Sequence, residues 1–180
     1  MTGLAWCLGI SACFYIGPSG VFSRKDAVLS DRDVETLPLK ALQGHKVKVS
    51  VKDKRKDKDH SKDVVAGVED ALRRHLEAAG VAVDDDGDIR LSVHVREFSA
   101  AISQVVTTWT ACVELSATVA GRTGEQGWKT SGRKCVERAS VLGQTDGEAA
   151  LREAYKKAMA KLMDNLDAAE GLEESLGRRD

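Results

Sequence analysis

The stretch Lys46-Val47-Lys48-Val49-Ser50-Val51-Lys52 decides the fold, because the hydrophobic period changes soon after it. Within it every second residue is valine and the residues between are polar. Period two with β-branched side chains predicts a strand with one buried face. A charged loop of mixed sign, Lys52 to His60, follows. Over 62–79 the period becomes helical, with Val65, Val68, Leu72, Leu76 and Ala79 on one face. Ser61 is positioned to cap the first turn, and Gly80 to supply the left-handed residue that stops the helix. A strand followed by a crossover helix puts its next partner parallel to it.

Toward the C-terminus, Asp84-Asp85-Asp86-Gly87-Asp88 reads as a turn, and three further strands follow. In 89–97, Ile89, Leu91, Val93 and Val95 alternate with Arg90, Ser92, His94 and Arg96. In about 105–120, Val105, Trp109, Ala111, Val113, Leu115, Ala117 and Val119 share a face. The third strand covers about 127–139. A last helix over about 147–169 is opened by Thr145 and Glu148 as a capping box, with Leu151, Tyr155, Ala158, Leu162 and Leu166 as its apolar stripe. The predicted class is α+β: a two-layer sandwich in the order β-α-β-β-β-α. Two helices lie on one face of a four-stranded mixed sheet. The folded domain is expected over 45–170, with 171–180 as a flexible tail.

Cysteines fix a register. Of the four, Cys112 and Cys135 fall in the last two strands, on either side of Arg122-Thr123-Gly124-Glu125. If Cys112 faces Cys135, Ala120 faces Gly127 and the loop is of ordinary hairpin length. The same register sets Glu114 opposite Arg133 and Ser116 opposite Ser131 on the wet face, and Val119 opposite Trp128 on the core face. A Cys112–Cys135 disulfide is the expectation, which requires an oxidising compartment; two free thiols in a cytosolic protein are the alternative.

The wet face is predicted to be basic. Lys48, Arg90, His94, Arg96 and Arg133 make up its candidate binding residues, with Lys46, Lys52 and Lys129 beside them and Glu114 and Glu137 as offsetting charges. Such a face suits an anionic polymer or an acidic protein. It lacks stacking aromatics, since Trp109 and Trp128 fall on the core side, so nucleic acid is not an expected partner. The formal net charge of −1 agrees. That average hides contrast: 45–63 hold eight Lys/Arg against four Asp, and 164–180 hold six acids against two Arg.

Catalytic and metal motifs are not expected. The acidic turn has oxygens at 84, 86 and 88, but the sixth and twelfth positions of a calcium loop are Ile89 and Val95, where Gly and Glu are needed. The four histidines form no ligand pair, and no nucleophile elbow, P-loop or dinucleotide motif occurs. No enzymatic activity, cofactor or metal is predicted.

Residues 1–23 carry no charged side chain. Within them, Ile10-Ser11-Ala12-Cys13 resembles the lipobox of a bacterial lipoprotein signal peptide. The resemblance implies that 1–12 are a signal segment and that Cys13 is the lipidated N-terminus, carrying acyl chains such as palmitate. Such chains contribute about 0.8 kcal/mol per buried CH₂ to membrane anchoring. Phe14, rather than Asp, after that cysteine points to the outer membrane, facing the periplasm. Residues 1–12 have neither Lys nor Arg, with which such peptides normally open. The true start upstream of Met1, or a buried apolar strand or helix here, are the alternatives. Residues 13–44, with Gly17, Pro18, Gly20, Pro38 and Gly44, read as a tether spanning roughly 30 Å as a coil.

Two segments carry a wider resemblance: Leu72 to Val83, and Ile89 to Val95 continuing through the hairpin to Glu137. With the Asp53-x-Arg55 step and the last helix, they make the chain similar to the YajG family of uncharacterised bacterial lipoproteins over about 46–168. The resemblance implies an envelope lipoprotein with a structural, accessory or binding role, other envelope proteins as partners, and no catalytic residues. A soluble periplasmic binding module and a cytosolic domain are the runners-up.

Overall fold

A computed structural model describes residues 37–56, 58, 60–103, 107–121, 127–140, 144–169, 172 and 176. The strand at Lys46–Asp53 (β1) leads into the helix Ser61–Ala78 (α1). Val64, Gly67, Val68, Ala71, Leu72 and Leu76 are its buried residues, so the stripe includes Val64 where the sequence pattern selects Val65. His60, not Ser61, is its N-cap residue, in the left-handed region, and no side chain caps the turn. At the other end Gly80 adopts φ +78° as expected. Its N–H donates to the Glu77 carbonyl while Val81 N–H donates to that of Leu76. This is the Schellman pairing that satisfies the last carbonyls of a helix.

The chain then adds the two-residue strand Ala82–Val83 (β2), the strands Ile89–Ser103 (β3), Thr108–Ala120 (β4) and Trp128–Ala139 (β5), and the helix Gln144–Asp167 (α2). The sheet is mixed, in the order β2-β1-β3-β4-β5. It has five strands, not four. The extra one, β2, is too short to show any period; its pairing with Lys46 and Val47 in parallel defines it. The predicted parallel pairing of β1 with β3 is present over Val47↔Ile89 to Asp53↔Val95.

β3 runs past the predicted end at 97. A register shift between Val95 and Glu97 inserts one extra residue. Such a bulge moves the alternation by one position. The buried side chains therefore pass from Ile89, Leu91, Val93 and Val95 to Phe98 and Ala100. The last hairpin has the predicted register: Cys112↔Cys135, Glu114↔Arg133, Ser116↔Ser131 and Val119↔Trp128. Cys112 and Cys135 form a disulfide. The hairpin loop 122–126 and Val105 lie outside the described residues, and α2 begins before Thr145.

One sheet face carries the core. Val47, Val49, Val51, Leu91, Val93, Val113, Leu115 and Val119 are buried there, beneath the stripes of the two helices. All five residues of the predicted α2 stripe are buried. Ring contact between Phe98 and Tyr155, centroids 6.1 Å apart, ties β3 to α2. Gly132 is where α2 comes closest to the sheet: a Cβ there would collide with the Ala158 carbonyl oxygen and lie 2.9 Å from Leu162 N.

Residues beside the domain also join the core. Leu39 and Leu42, read as part of the tether, are buried; Leu42 lies in the short 3-10 turn Lys40–Leu42 and Leu39 immediately precedes it. Leu172, in the predicted tail, is fully buried as well. The signal segment, Cys7, Cys13 and tether residues up to 36 lie outside the described residues.

Candidate functional site

The candidate site is the sheet face opposite the two helices. Strand alternation puts Lys46, Lys48, Ser50 and Lys52 of β1 there, beside Arg90, Ser92 and His94 of β3. Parallel register makes these into cross-strand rows: Lys48 beside Arg90, Ser50 beside Ser92, Lys52 beside His94. β4 and β5 extend the rows with Ala120 next to Arg90, Thr118 and Lys129 next to Ser92, and Ser116 and Ser131 next to His94. Ser50 Oγ donates to Ser92 Oγ at 3.2 Å. Arg96, the bulge residue, donates from Nε to Ser116 Oγ at 3.1 Å.

Charge divides this face in two. Among the described residues, none of Lys48, Lys52, Arg90, Arg96 and Lys129 has a carboxylate within 4.0 Å. His94 lies among them and its pKa is pushed down, by burial first and then by the positive charges of Arg96, Lys54 and Lys52. Beyond the bulge the balance reverses. Arg133, placed with the candidate cations by sequence, donates from Nε to Glu97 Oε2 at 3.1 Å and lies 3.7 Å from Glu114 Oε2. Glu97 is the residue that sequence reading missed. Strict alternation would turn it into the core, and the bulge returns it to the open face opposite Glu114. The Cys112–Cys135 disulfide lies on this same face, next to the Glu97–Glu114–Arg133 row.

A shallow depression of about 440 Å³ opens where the two halves meet. Arg96, Glu114, Ser116, Lys129, Thr130 and Ser131 line it. It offers cations, one carboxylate and hydroxyls, with no aromatic side chain among those six residues.

The acidic turn has a structural use. Asp84 accepts from the backbone N–H of Asp86 at 3.0 Å and from Lys46 Nζ at 3.0 Å. Asp88 accepts from Lys46 N at 2.8 Å and pairs with His45 Nδ1 at 3.1 Å. Asp85 lies 3.4 Å from Arg73. Gly87 packs so tightly on β1 that a Cβ would lie 2.6 Å from both Lys46 O and Lys48 N. The turn thus clasps the start of β1. No cluster of three or more metal-ligating side chains occurs among the described residues.

This clasp should respond to acid. The His45 hydrogen bond, helped by the Lys46 N–H and opposed by partial burial, lowers the Asp88 pKa to about 2. An unfolded aspartate titrates near 3.9. A depressed native pKa stabilises the fold above the unfolded value, and that contribution is lost as pH falls from about 4 toward 2. In urea unfolding at a series of pH values, Asp88→Asn should flatten the decline between about pH 4 and 2. A decline as steep as that of the unaltered protein would show that Asp88 does not carry it.

A family model described as "Uncharacterized lipoprotein" matches residues 43–167. Comparison with curated proteins gives no match. Among solved structures, protein XCC0632 from Xanthomonas campestris, ascribed to family DUF330, is similar at 18% identity, with 69% of this chain and 84% of that chain covered and a TM-score of 0.51. This likeness shows a shared fold. Lipoprotein GNA1162 from Neisseria meningitidis is similar at 11% identity, covering 69% of this chain and 99% of that one, with a TM-score of 0.46.

Proposed function

Because the chain belongs to the family of uncharacterized lipoproteins whose model covers residues 43–167, we propose that it is a lipid-anchored protein of the bacterial envelope with a structural or accessory role. The family match over 43–167, which spans all five strands and both helices, carries this reading. The lipobox Ile10-Ser11-Ala12-Cys13 supports Cys13 as the acylated residue, and Phe14 after it favours the outer membrane over the inner. The disulfide Cys112–Cys135 suits the oxidising periplasm. The resemblance of 72–83 and 89–95 to YajG lipoproteins points the same way. In this reading the protein acts through contacts with envelope proteins or polymers, not by chemistry on a substrate.

Fractionation of cells expressing the full chain tests the anchor. The unaltered protein should sediment with the outer membrane, and Cys13→Ser should move it to the soluble fraction. An unaltered protein that is already soluble overturns the lipoprotein reading.

A second reading, a binding module, is favoured by one observation. The cations Lys48, Lys52, Arg90, Arg96 and Lys129 gather on the face opposite the helices without carboxylate partners among the described residues. Like charges so arranged repel one another, and an anionic ligand relieves that repulsion.

A further inference from the structure

We propose that the cationic half of the open sheet face binds an extended anionic glycan, one bearing carboxylate or phosphate groups along its length. The inference rests on the binding-module reading and names the ligand class.

Geometry supplies the first argument. A floor of hydroxyls, Ser50, Ser92 and Thr118, runs across β1, β3 and β4 to Lys129 on β5. One row along the strands on one side stand Lys48 and Arg90, and on the other Lys52 and His94. Three inter-strand steps of about 4.8 Å give a track of roughly 14 Å, long enough for a few sugar units. The cations are therefore spread along a path, which suits repeated charges better than one compact anion.

Side-chain chemistry supplies the second. Sheet residues facing the ligand present ammonium, guanidinium and hydroxyl groups. Ammonium and guanidinium groups take the carboxylates or phosphates. Hydroxyls and sugar hydroxyls exchange donor and acceptor roles freely. Glu114 in the adjoining depression would repel a uniformly phosphorylated surface, yet it is a good acceptor for sugar hydroxyls. Amphipathic membrane-surface binding relies on apolar groups entering the bilayer as well as on basic charge. This track has none: its floor is Ser50, Ser92 and Thr118, flanked by Lys48, Lys52, Arg90, His94 and Lys129. Single-stranded nucleic acid relies on aromatic stacking, for which the track offers only the His94 imidazole at its edge among the described residues.

The test uses the full chain in detergent and polygalacturonate as the probe, with neutral dextran, phosphatidylglycerol vesicles and single-stranded poly(dA) as comparisons. Polygalacturonate should bind at low salt and dextran should not. Affinity should fall at least about tenfold between ~20 and ~200 mM salt, as screening shortens the reach of the charges. The triple variant Lys48→Gln, Lys52→Gln, Arg90→Gln should bind on the order of tenfold more weakly. The charge-keeping variant Lys48→Arg, Lys52→Arg, Arg90→Lys should bind normally, which separates charge loss from misfolding. Arg133→Gln, in the carboxylate-held half, should change affinity by less than about twofold. The proposal is overturned by absence of polygalacturonate binding at low salt, by full binding in the triple Gln variant, or by vesicles or poly(dA) binding at least as tightly. Any of these leaves the anchor reading intact, because that is judged by the fractionation of Cys13→Ser.

Discussion

Gly132→Ala should destabilise the domain by about 3 kcal/mol, at the upper end of what an extra methyl costs in a packed core. The reason is what the new Cβ meets. The Ala158 carbonyl oxygen and Leu162 N belong to the backbone of α2, so no side-chain rotamer can move aside. α2 would have to lift from β5 as a unit. That would loosen the packing of Ala158, Met159 and Leu162, which are all fully buried. It would also strain the hydrogen bond from Asn165 Nδ2 to the Ser131 carbonyl, 2.9 Å long. Thermal unfolding should show a Tm lower by about 6–12 °C for a domain of this size. Gly121→Ala is the control, since a Cβ there meets only the Leu176 carbonyl, at 3.9 Å. It should be close to neutral. Equal effects at the two glycines would mean that helix approach at Gly132 is not the cause.

Asp53→Ala should cost about as much or more, on the order of 3–5 kcal/mol, because it strands a buried guanidinium. Asp53 and Arg55 side chains are each only 4% exposed and meet at 2.7 Å. Arg55 donates from Nε and Nη2 to both carboxylate oxygens, and its backbone N–H donates to Oδ1. Burial alone would push the Asp53 pKa up. The Arg55 hydrogen bonds, a hydrogen bond from Ser61 and the guanidinium charge outweigh it and hold the carboxyl below its ordinary range. The pair therefore stabilises the fold above the unfolded carboxyl pKa and loses that effect as pH falls through the native one. Since Ser61 opens α1, the cluster fixes the end of β1 to the start of its crossover helix. Replacing both partners by apolar residues, Asp53→Leu with Arg55→Met, should recover most of the loss, as no charge is left buried. Denaturant unfolding of the single and double variants checks this. A double variant as unstable as Asp53→Ala would show that the pair does more than neutralise itself.

The two predictions differ in how far sequence alone reaches. Asp53-x-Arg55 was legible as a step after the first strand, but it sits in a run of charges that reads as a solvated loop. Nothing local distinguishes Arg55, which is buried, from Lys54 and Lys56, which are exposed. Gly132 was legible only as a glycine in a strand. Its partner is a helix turn far along the chain, and no periodicity records that approach.

The candidate face was legible in part for the same reason. Alternation placed Lys48, Arg90, His94 and Arg96 on it, and the register from Cys112 and Cys135 added Arg133. Glu97 was lost because the bulge beside it reverses the alternation. With Glu97 missing, Arg133 has one carboxylate opposite it, Glu114, instead of two.

From the sequence alone follow the class of the fold, the parallel β1–β3 pairing, the α2 stripe, the α1 stripe apart from Val64, and the β4–β5 register with its disulfide. These follow from periods of 2 and 3.6 residues, which backbone geometry imposes on each segment separately, and from a cysteine pair that sets one register. Tertiary structure alone decided the fifth strand, the bulge, the clasp of Asp84 and Asp88 on β1, the burial of the Asp53–Arg55 pair and the division of the open face by charge. Each of these depends on which distant segment lies alongside, and a side chain's burial or pairing is a property of that neighbour as much as of its own place in the chain.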